Sequence, residues 1–571
     1  MNKQLISAFV LFFLIACQSA NKTAKLPFDP FNYSATKRTE SDNGAVASAH
    51  PLASKVGIEI MRQGGNAVDA SIAVQLALAV VYPQAGNLGG GGFLVARLAD
   101  GQNITIDYRE AAPGAAHRDM YIDSTGKART DLSQNGHLAS GIPGTVAGLF
   151  ESAAYGKLSF RKLIEPAIIL AEKGFKISAR EAAGLNRLQN DLKKYNTVQP
   201  VFVKETPWQE GDILIQKDLA NTLKRIRDKG AAGFYEGETA KLITEEMKRG
   251  GGIISAEDLK NYKAIKRQPH IFNYREYQII GMPMPSSGGL LVNQMMKMIE
   301  NRNISAMGFQ SPQSVQLMVE AERRAYADRA KFMGDADFYK VPVSDLVADK
   351  YLEERMKDYL PEKAGSSTVT NPGAVPGYES PETTHLSVLD KEGNAVSVTT
   401  TLNNSYGSRT VVGGAGFLLN DEMDDFSVKP GVPNMYGAIG GEANAIAPGK
   451  RMLSSMTPTV VLKNNRPFLV LGTPGGTTIP TSVFQTLVNI IEFNMNTSDA
   501  VDKPKFHHQW LPDEVYTELG FQPRTQDALE KMGYKLRPST SIGRMEVIKV
   551  LPNGKIEAVA DRRGDDSAEG L

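Results

Sequence analysis

The sequence predicts an α+β protein in which helices and sheets pack as layers. Alternating apolar and polar residues mark strands in the last third of the chain, at 384–389, 395–399, 458–462 and 467–471. Helical spacing marks residues 51–81 and most of residues 160–265. Both element types occur in quantity and no internal repeat is visible, so a layered α+β sandwich is expected.

The first predicted elements follow one another closely. Ala45–Ser48 is predicted to be a short strand, and Pro51–Met61 has the spacing of a helix that the Gly64–Gly65 pair ends. Ala67–Val81 is rich in Ala, Val and Leu and predicts a buried helix.

A glycine-rich run, Gly86–Gly92, precedes a predicted strand at Phe93–Leu98. Glycine runs beside strands can cradle phosphates, but here no Lys-Ser/Thr pair follows and the run leads into a strand instead of a helix. We therefore expect close packing of backbone against backbone, with a phosphate loop as the less favoured alternative.

The middle of the chain changes texture twice. Charged runs such as Lys217–Lys229 indicate solvated helix faces. The turn cluster Gly281–Gly289 precedes a predicted helix at Leu290–Glu300. Gly365–Pro381 is rich in Ser, Thr, Pro and Gly without periodicity, and is predicted to be an exposed, flexible and cleavable segment.

Two hairpins follow that segment. The first has a strand that we expect to begin at Thr383, and Asp390–Asn394 supplies its turn. The second places Lys463–Arg466 between two apolar strands.

Composition excludes several functions. The chain has 571 residues, 64 Lys and Arg against 63 Asp and Glu, a formal net charge of +1 and one cysteine. This balance gives no electrostatic footprint for nucleic acid and no polybasic membrane patch. One cysteine cannot form an internal disulfide, a CxxC redox pair or a cysteine-rich zinc site.

The N-terminus has the pattern of a bacterial lipoprotein signal. Lys3 precedes an apolar run that is too short for a comfortable membrane span and ends in Leu14-Ile15-Ala16-Cys17. Residues 1–16 would be the signal peptide, Cys17 the lipidated first residue, and 17–42 a tether. Gln18 in place of Asp favours the outer membrane, so the predicted location is the bacterial periplasm. The alternative is an ordinary signal peptide cut near Ser19-Ala20.

The seven histidines do not form a catalytic or metal pattern. His507 and His508 are adjacent, so on a strand they point to opposite faces and suit packing or hydrogen bonding better than one metal ion. Neither an HExxH motif nor a Gly-x-Ser-x-Gly elbow occurs. The sequence predicts no metal site and no cofactor, and gives little support for a Ser-His-Asp triad.

Clusters of Gly, hydroxyl and acidic residues over nearly the whole mature chain resemble the gamma-glutamyltranspeptidases, members of the N-terminal nucleophile hydrolase superfamily. The motifs occur in family order: 64–70, 86–93, 107–110, 141–144, 285–289, 325–329, 383–385, 423–426, 448–456, 474–476 and 506–510.

The resemblance implies a four-layer αββα sandwich and a precursor that cuts itself. The cut would fall between Glu382 and Thr383, giving a large subunit 43–382 after the tether and a small catalytic subunit 383–571. The two fragments would remain together as a heterodimer and form one structural domain.

The resemblance also implies the catalytic residues. Thr383 becomes N-terminal on cleavage, and its own α-amino group can then act as the base that its weakly nucleophilic hydroxyl needs. Thr401 would orient Thr383. The backbone N–H groups of Gly475 and Gly476 would form the oxyanion hole.

The remaining matched residues would bind a γ-glutamyl group. Arg109, Ser454 and Ser455 would hold its α-carboxylate, because an arginine fork suits a carboxylate. Its α-ammonium would be held by Asn403, Glu422 and Asp425. Tyr436 would be the aromatic residue of a lid loop, 430–441, that shields the substrate. An ordinary surface loop is the alternative.

The expected activity is transfer of the γ-glutamyl group of glutathione or its conjugates to water or to an amino acid or peptide. One alternative is a cephalosporin (glutaryl) acylase of the same fold, which Arg109 and Asp425 disfavour. Another is a non-catalytic periplasmic binding lipoprotein, which the intact Thr383 and Thr401 disfavour.

Overall fold

The computed structural model describes residues 26–370, 383–429, 431–432, 434 and 440–571. Numbered in chain order, its strands are β1 Arg38–Ser41, β2 Gly44–Ser48, β3 Gly91–Arg97, β4 Asn103–Asp107, β5 Phe175–Lys176, β6 Ile213–Leu214, β7 Ile265–Arg267, β8 His270–Tyr274, β9 Tyr277–Gly281, β10 Thr384–Asp390, β11 Ala395–Thr401, β12 Thr459–Lys463, β13 Arg466–Gly472, β14 Phe506–His507, β15 Val515–Glu518, β16 Leu536–Ser539, β17 Glu546–Val550, β18 Ile556–Ala560 and β19 Ser567–Gly570.

The α-helices, numbered in the same way, are α1 Pro51–Arg62, α2 Ala67–Val81, α3 Thr130–Gln134, α4 Thr145–Ala153, α5 Phe160–Lys173, α6 Ala179–Arg187, α7 Gln189–Tyr195, α8 Lys217–Lys229, α9 Ala232–Tyr235, α10 Gly237–Gly250, α11 Ala256–Asn261, α12 Gly288–Glu300, α13 Ile304–Met307, α14 Pro312–Phe332, α15 Val343–Leu346, α16 Asp349–Arg355, α17 Thr478–Ile491, α18 Thr497–Asp502 and α19 Pro523–Met532. Short 3₁₀ turns occur at His137–Ala139, Glu422–Asp425 and Glu442–Asn444.

Two seven-stranded sheets form the centre of the fold. The first has the order β1-β18-β17-β13-β12-β9-β8 and the second β19-β2-β10-β11-β3-β4-β7, with antiparallel neighbours throughout. Smaller sheets join β14-β15-β16 and β5-β6.

Side-chain alternation explains why the sheets are covered on both faces. Along β10, Leu386 and Val388 pack against the helices that include α1, α2 and α5, whereas Leu389 packs into the layer between the sheets. Along β13, Leu469 and Leu471 likewise face α12, α14 and α17, and Val470 faces the other sheet. The architecture is therefore αββα, as expected.

Both seven-stranded sheets contain strands from both sides of residue 383. In the second sheet, β10 and β11 lie between β2 and β3, so the strand that begins at Thr384 is central. In the first sheet, β12 and β13 lie between β9 and β17. Neither side of residue 383 contains a complete seven-stranded sheet.

Several predicted boundaries shift. The helix after the 281–289 turn begins at Gly288, and β10 begins at Thr384 instead of Thr383. β3 begins inside the glycine run, at Gly91, because the chain there pairs with Thr401 of β11.

The predicted tether over 17–42 extends too far. Arg38–Ser41 forms β1, which pairs with β18 at the edge of the first sheet. The Lys37 ammonium donates to the carbonyl oxygens of Asp561, Gly564 and Asp566 at 2.6–2.9 Å, which fixes the start of that strand. Folded structure therefore begins before residue 42.

The start of the predicted flexible segment, 365–370, is held in place. The Trp510 indole N–H donates to the carbonyl oxygens of Ser367 and Thr370 at 3.1 and 2.9 Å. The Ser367 amide donates to Asp513 at 2.8 Å, and Ser367 is buried. The prediction of exposure is wrong for Ser367 and Thr370, which are buried, whereas Thr368 and Val369 are exposed. Residues 371–381 lie outside the described residues.

Among the residues that the structure describes, no helix combines the length and apolar character needed to cross a bilayer. The predicted signal peptide and Cys17 lie outside those residues.

Candidate active site

One small cavity brings most of the predicted site residues together. Its walls are formed by Arg109, Arg329, Thr383, Thr401, Asn403, Glu422, Asp425, Asn434, Ser454, Ser455, Met456, Gly476, Thr477 and Ile479. These residues come from segments separated by more than 300 positions of sequence, and the two sheets meet around them.

Thr383 lies at the head of β10, beside the end of β11. Thr384 pairs with Thr400 across the two strands, so Thr383 and Thr401 are the next residues along each strand and share the cavity. Thr383 is buried, with 6% of its surface exposed. The threonine predicted to be the nucleophile therefore lies directly before the first residue of a central strand.

The chain turns sharply after Thr401. The Asn403 amide donates to the Thr401 hydroxyl oxygen at 2.7 Å, and the Asn403 side chain donates to the Asp421 carbonyl at 3.0 Å. Asn403 has φ +74, a left-handed conformation that asparagine tolerates better than most residues. This turn brings Asn403 toward the 3₁₀ turn that contains Glu422 and Asp425.

Gly475 and Gly476 connect β13 to α17. Gly476 has φ +54, and its carbonyl accepts the Ile479 amide at 3.2 Å as the helix begins. The partial positive charge of a helix N-terminus therefore faces the cavity beside Thr383. Two hydrogen bonds fix Thr477 from outside the cavity. Its hydroxyl donates to the Gln509 side-chain oxygen at 2.6 Å, and the Tyr326 hydroxyl donates to the Thr477 carbonyl oxygen.

Arg109 is the centre of a buried charge cluster. It follows β4, and its guanidinium pairs directly with Glu422 and Asp425 and lies 3.5 Å from Glu110. Only 1% of its side chain is exposed. The predicted carboxylate-binding and ammonium-binding residues are thus adjacent and neutralise one another in this structure.

Three carboxylates in this cluster outnumber the guanidinium of Arg109. Burial raises the pKa of Glu110 to about 7 even though Arg109 opposes the shift. Burial, followed by the neighbouring Glu110, raises the pKa of Glu422, and burial also raises that of Asp425. Burial by itself would lower the pKa of Arg109, but the negative charges of Glu422 and Asp425 outweigh this effect and raise the pKa. The raised pKa values favour protonated carboxyl groups, and a bound cation would favour their charged forms.

Ser454 and Ser455 also line the cavity. The Ser454 amide donates to the Pro285 carbonyl at 2.9 Å, and its carbonyl accepts the Ser287 amide at 2.8 Å. The Ser455 hydroxyl oxygen accepts a hydrogen bond from Arg329 at 3.0 Å. The predicted turn cluster at 281–289 therefore supports the serine pair.

Gly475 directly precedes the lining residue Gly476, while Glu382, Tyr436 and Cys17 lie outside the described residues. Sequence reasoning gave no role to six residues in or beside the cavity, which are Glu110, Arg329, Asn434, Met456, Thr477 and Ile479. Glu110, Arg329 and Met456 do fall within the matched motifs 107–110, 325–329 and 448–456, so those motifs were the available signal.

The adjacent histidines have separate structural roles. His507 bonds to Thr481 and Gln509 at 2.8 Å, while His508 accepts the Trp510 amide at 3.0 Å. Burial lowers the pKa of His507 to about 3 and that of His508 to about 4, so both are neutral. Across the described part of the chain, no three His, Cys, Asp or Glu side chains are grouped closely enough to hold a metal ion.

An αββα sandwich with a threonine at the head of a central strand, facing a glycine turn, defines an N-terminal nucleophile hydrolase. The sequence profile of the gamma-glutamyltranspeptidase family matches residues 53–571. The chain belongs to this family and is an enzyme of this type.

Similar proteins agree with that assignment. The chain is 44% identical over 559 residues to the glutathione hydrolase proenzyme of Escherichia coli (strain K12), covering 96% of each chain. The cephalosporin acylase structure from Bacillus halodurans superposes with a TM-score of 0.82 at 26% identity, over 96% of this chain and 99% of that one. A chain of the Helicobacter pylori gamma-glutamyltranspeptidase structure covers 61% of this chain and 97% of its own length, with 42% identity and a TM-score of 0.56.

Proposed function

We propose that this protein is a self-cleaving γ-glutamyltransferase and glutathione hydrolase whose nucleophile is Thr383. The observation that carries the proposal is the single cavity that unites Thr383 with Arg109, Asp425 and the Ser454–Ser455 pair. The predicted nucleophile lies in the same cavity as a positively charged and a negatively charged side chain, and a substrate with an α-amino acid end requires both.

Self-cleavage prepares the enzyme. The Thr383 hydroxyl oxygen attacks the carbonyl carbon of Glu382, the peptide C–N bond breaks, and the hydroxyl proton ends on the released Thr383 amine. Water then hydrolyses the resulting ester, which frees the Glu382 carboxylate and restores the Thr383 hydroxyl. The new α-amino group has an ordinary pKa near 8 and can act as a base at neutral pH.

Turnover repeats this chemistry on a donor. The Thr383 oxygen attacks the γ-carbonyl carbon while the α-amino group takes its proton, and the developing oxyanion is stabilised by the N–H groups of Gly475 and Gly476. The proton passes to the leaving amine, which is cysteinylglycine when the donor is glutathione. Water or the amine of an amino acid or peptide then attacks the acyl ester and regenerates Thr383.

The charge cluster binds the donor by exchange. Arg109 neutralises Glu422 and Asp425 in this structure, and leaving buried carboxylates without a partner is costly. An α-amino acid brings both charges together. The ammonium of the donor can replace Arg109 as the partner of Glu422 and Asp425. The carboxylate of the donor can then bind Arg109, Ser454 and Ser455. Asn403 adds a side-chain oxygen near the ammonium. Tyr436 would close the site from the lid.

A glutaryl acylase is the second candidate, and it is favoured by the likeness to the Bacillus halodurans acylase. A glutaryl group carries a carboxylate but no ammonium, so it leaves Glu422 and Asp425 without a cationic partner once Arg109 turns to the substrate. Comparing turnover of γ-glutamyl and glutaryl anilides separates the two. A preference for glutaryl would favour the acylase.

Denaturing gel electrophoresis of the wild type beside Thr383→Ala tests the main proposal. We expect two fragments from the wild type and one uncut chain from the variant, with hydrolysis of a γ-glutamyl anilide by the wild type only. An uncut wild type without this activity would contradict the proposal.

We also propose, from the lipoprotein-like signal, that Cys17 is acylated and anchors the enzyme to the periplasmic face of the outer membrane. Mass spectrometry of the mature N-terminus tests this. An acylated Cys17 supports the anchor, whereas a mature chain that starts at or beyond Gln18 means an unanchored enzyme.

A further inference from the structure

We propose that Arg329 is a positioning residue that turns the Ser455 hydroxyl toward the donor's α-carboxylate. The inference rests on the proposed γ-glutamyl chemistry and adds a component to its binding site. Arg329 contributes through Ser455 instead of through contact with the reacting atoms.

Arg329 lies near the end of α14 and reaches the cavity from behind the serine pair. It is 8% exposed and shares the cavity wall with Thr383 and Ser455. A long cationic side chain that is this buried needs partners of fixed geometry, because removing its charge from water is expensive.

Two hydrogen bonds fix the orientation of the guanidinium. Its Nη2 donates to the Ser455 hydroxyl oxygen at 3.0 Å, and its Nε donates to the Ser287 hydroxyl oxygen at 3.1 Å. The Ser287 hydroxyl in turn donates to the Ser454 carbonyl at 2.8 Å. The arginine fork thus connects the 281–289 turn to both predicted carboxylate-binding serines.

The direction of these hydrogen bonds determines where the Ser455 proton points. A guanidinium only donates, so the Ser455 oxygen must be the acceptor and its own proton is directed to another group. Ser455 itself lines the cavity, and a carboxylate bound there would be the matching acceptor. Arg329 thereby prepares Ser455 as a donor before the substrate arrives.

Arg329 also supplies charge that Arg109 alone cannot. Arg109 is already matched by Glu422 and Asp425, so a substrate carboxylate entering the cavity meets a largely neutralised guanidinium. The guanidinium of Arg329 opposes the rise in the pKa of Asp425, so its positive charge already reaches into the cavity, and its bond to Ser455 places that charge beside the serine. Lysine would lack the two fixed donors that reach Ser287 and Ser455 together.

A double-mutant cycle tests the inference. Arg329→Gln, Ser455→Ala and the double variant are compared on a γ-glutamyl anilide. We expect each single change to raise KM about tenfold with kcat altered less than about twofold, because the lost contact acts on binding. The double variant should be no worse than the poorer single variant, since both changes remove one interaction.

Controls separate positioning from damage to the fold. Lys331→Gln removes an exposed positive charge from the same helix and should leave KM unchanged. Each variant must still give two fragments on a denaturing gel, and Arg329→Lys replaces Arg329→Gln if the latter fails to mature.

Additive effects of the two changes, or an unchanged KM in the matured Arg329 variant, would overturn the inference. If neither Arg329 variant matures, its role is in folding and the inference is wrong. A wild type that is inactive on the anilide would instead contradict the proposed function.

Discussion

At the scale of single residues, the cavity holds paired charges in a place where water screens them little. Arg109 faces three carboxylates, and each of those carboxylates has a raised pKa because it is buried. The electrostatic state of the cavity therefore depends on both occupancy and pH.

Asp425→Ala should still mature but lose activity on γ-glutamyl donors. Removing one partner of a buried ion pair typically costs a few kcal/mol, so kcat/KM should fall by about two orders of magnitude. Self-cleavage uses the Glu382–Thr383 bond and needs no α-ammonium site. A gel and an anilide assay on the same preparation check both points, with Asp119→Ala, an exposed aspartate, as the control. Equal activity in Asp425→Ala would remove the ammonium-site assignment.

The KM for a γ-glutamyl donor should rise as pH falls through about 7, the raised pKa of Glu110. Below this pH Glu110 gains a proton, the cluster loses one negative charge, and the ammonium is bound more weakly. Glu110→Gln stays neutral throughout, so its KM should be high and nearly flat over the same range. The Thr383 amine titrates in both the wild type and Glu110→Gln, so it cannot cause a difference between their KM–pH profiles. Parallel profiles would therefore contradict the role of Glu110.

At the scale of elements, close backbone packing holds the two halves of the site in register. The glycine run leads into β3, and Gly90 directly precedes that strand. An added Cβ on Gly90 would lie 2.0 Å from the Thr401 carbonyl oxygen. The Gly90 carbonyl also accepts the Gly144 and Thr145 amides at 2.8 and 3.0 Å. The run therefore serves strand packing next to Thr401, as preferred over a phosphate loop.

Gly90→Ala should destabilise the protein by at least about 3 kcal/mol, because the obstacle is backbone and cannot rotate away. Soluble yield and the midpoint of urea unfolding measure the effect. Gly114→Ala is the matched control, since its Cβ would meet only the movable Asp258 carboxylate, at 3.0 Å. A Gly90→Ala protein as stable as the control would contradict the packing argument.

At the scale of the whole molecule, the cut at residue 383 would divide the chain without dividing the fold. Both seven-stranded sheets contain strands from before and after this residue, and β10 pairs with β2 while β11 pairs with β3. Each fragment alone would leave unpaired strand edges and exposed core.

The two fragments should therefore co-elute on size exclusion after cleavage and separate only in denaturant. We expect one cooperative unfolding transition for the mature protein, because the same core is shared. The uncut Thr383→Ala chain is the reference for elution volume. Fragments that separate in native buffer would show that cleavage divides the fold.

Local pattern was sufficient for much of this structure. The helix at Ala67–Val81 was predictable because a long run rich in Ala, Val and Leu suits a helix that is buried all round. The hairpin strands near 459–463 and 466–472 were predictable because a short polar turn separates two apolar runs. The site residues were predictable only through their motifs. An isolated Arg109 or Thr383 carries no periodic signal.

Other features depended on contacts between distant segments. Trp510 holds Ser367 and Thr370 by hydrogen bonds, and the edge strand at Arg38–Ser41 forms by pairing with β18. Local composition could predict neither of these contacts. The supporting role of Arg329 likewise needs Ser287 and Ser455 to be seen beside it.

The sequence by itself determined the α+β class and the family, because these follow from local patterns and ordered motifs, and the same motifs predict Thr383 as the catalytic threonine. Only the tertiary structure decided that Arg109 pairs with Glu422 and Asp425, that Glu110 completes the cluster, and that Arg329 holds Ser455. The reason is physical. Burial and through-space charge set these interactions, and both depend on which distant segments the two sheets bring to one cavity.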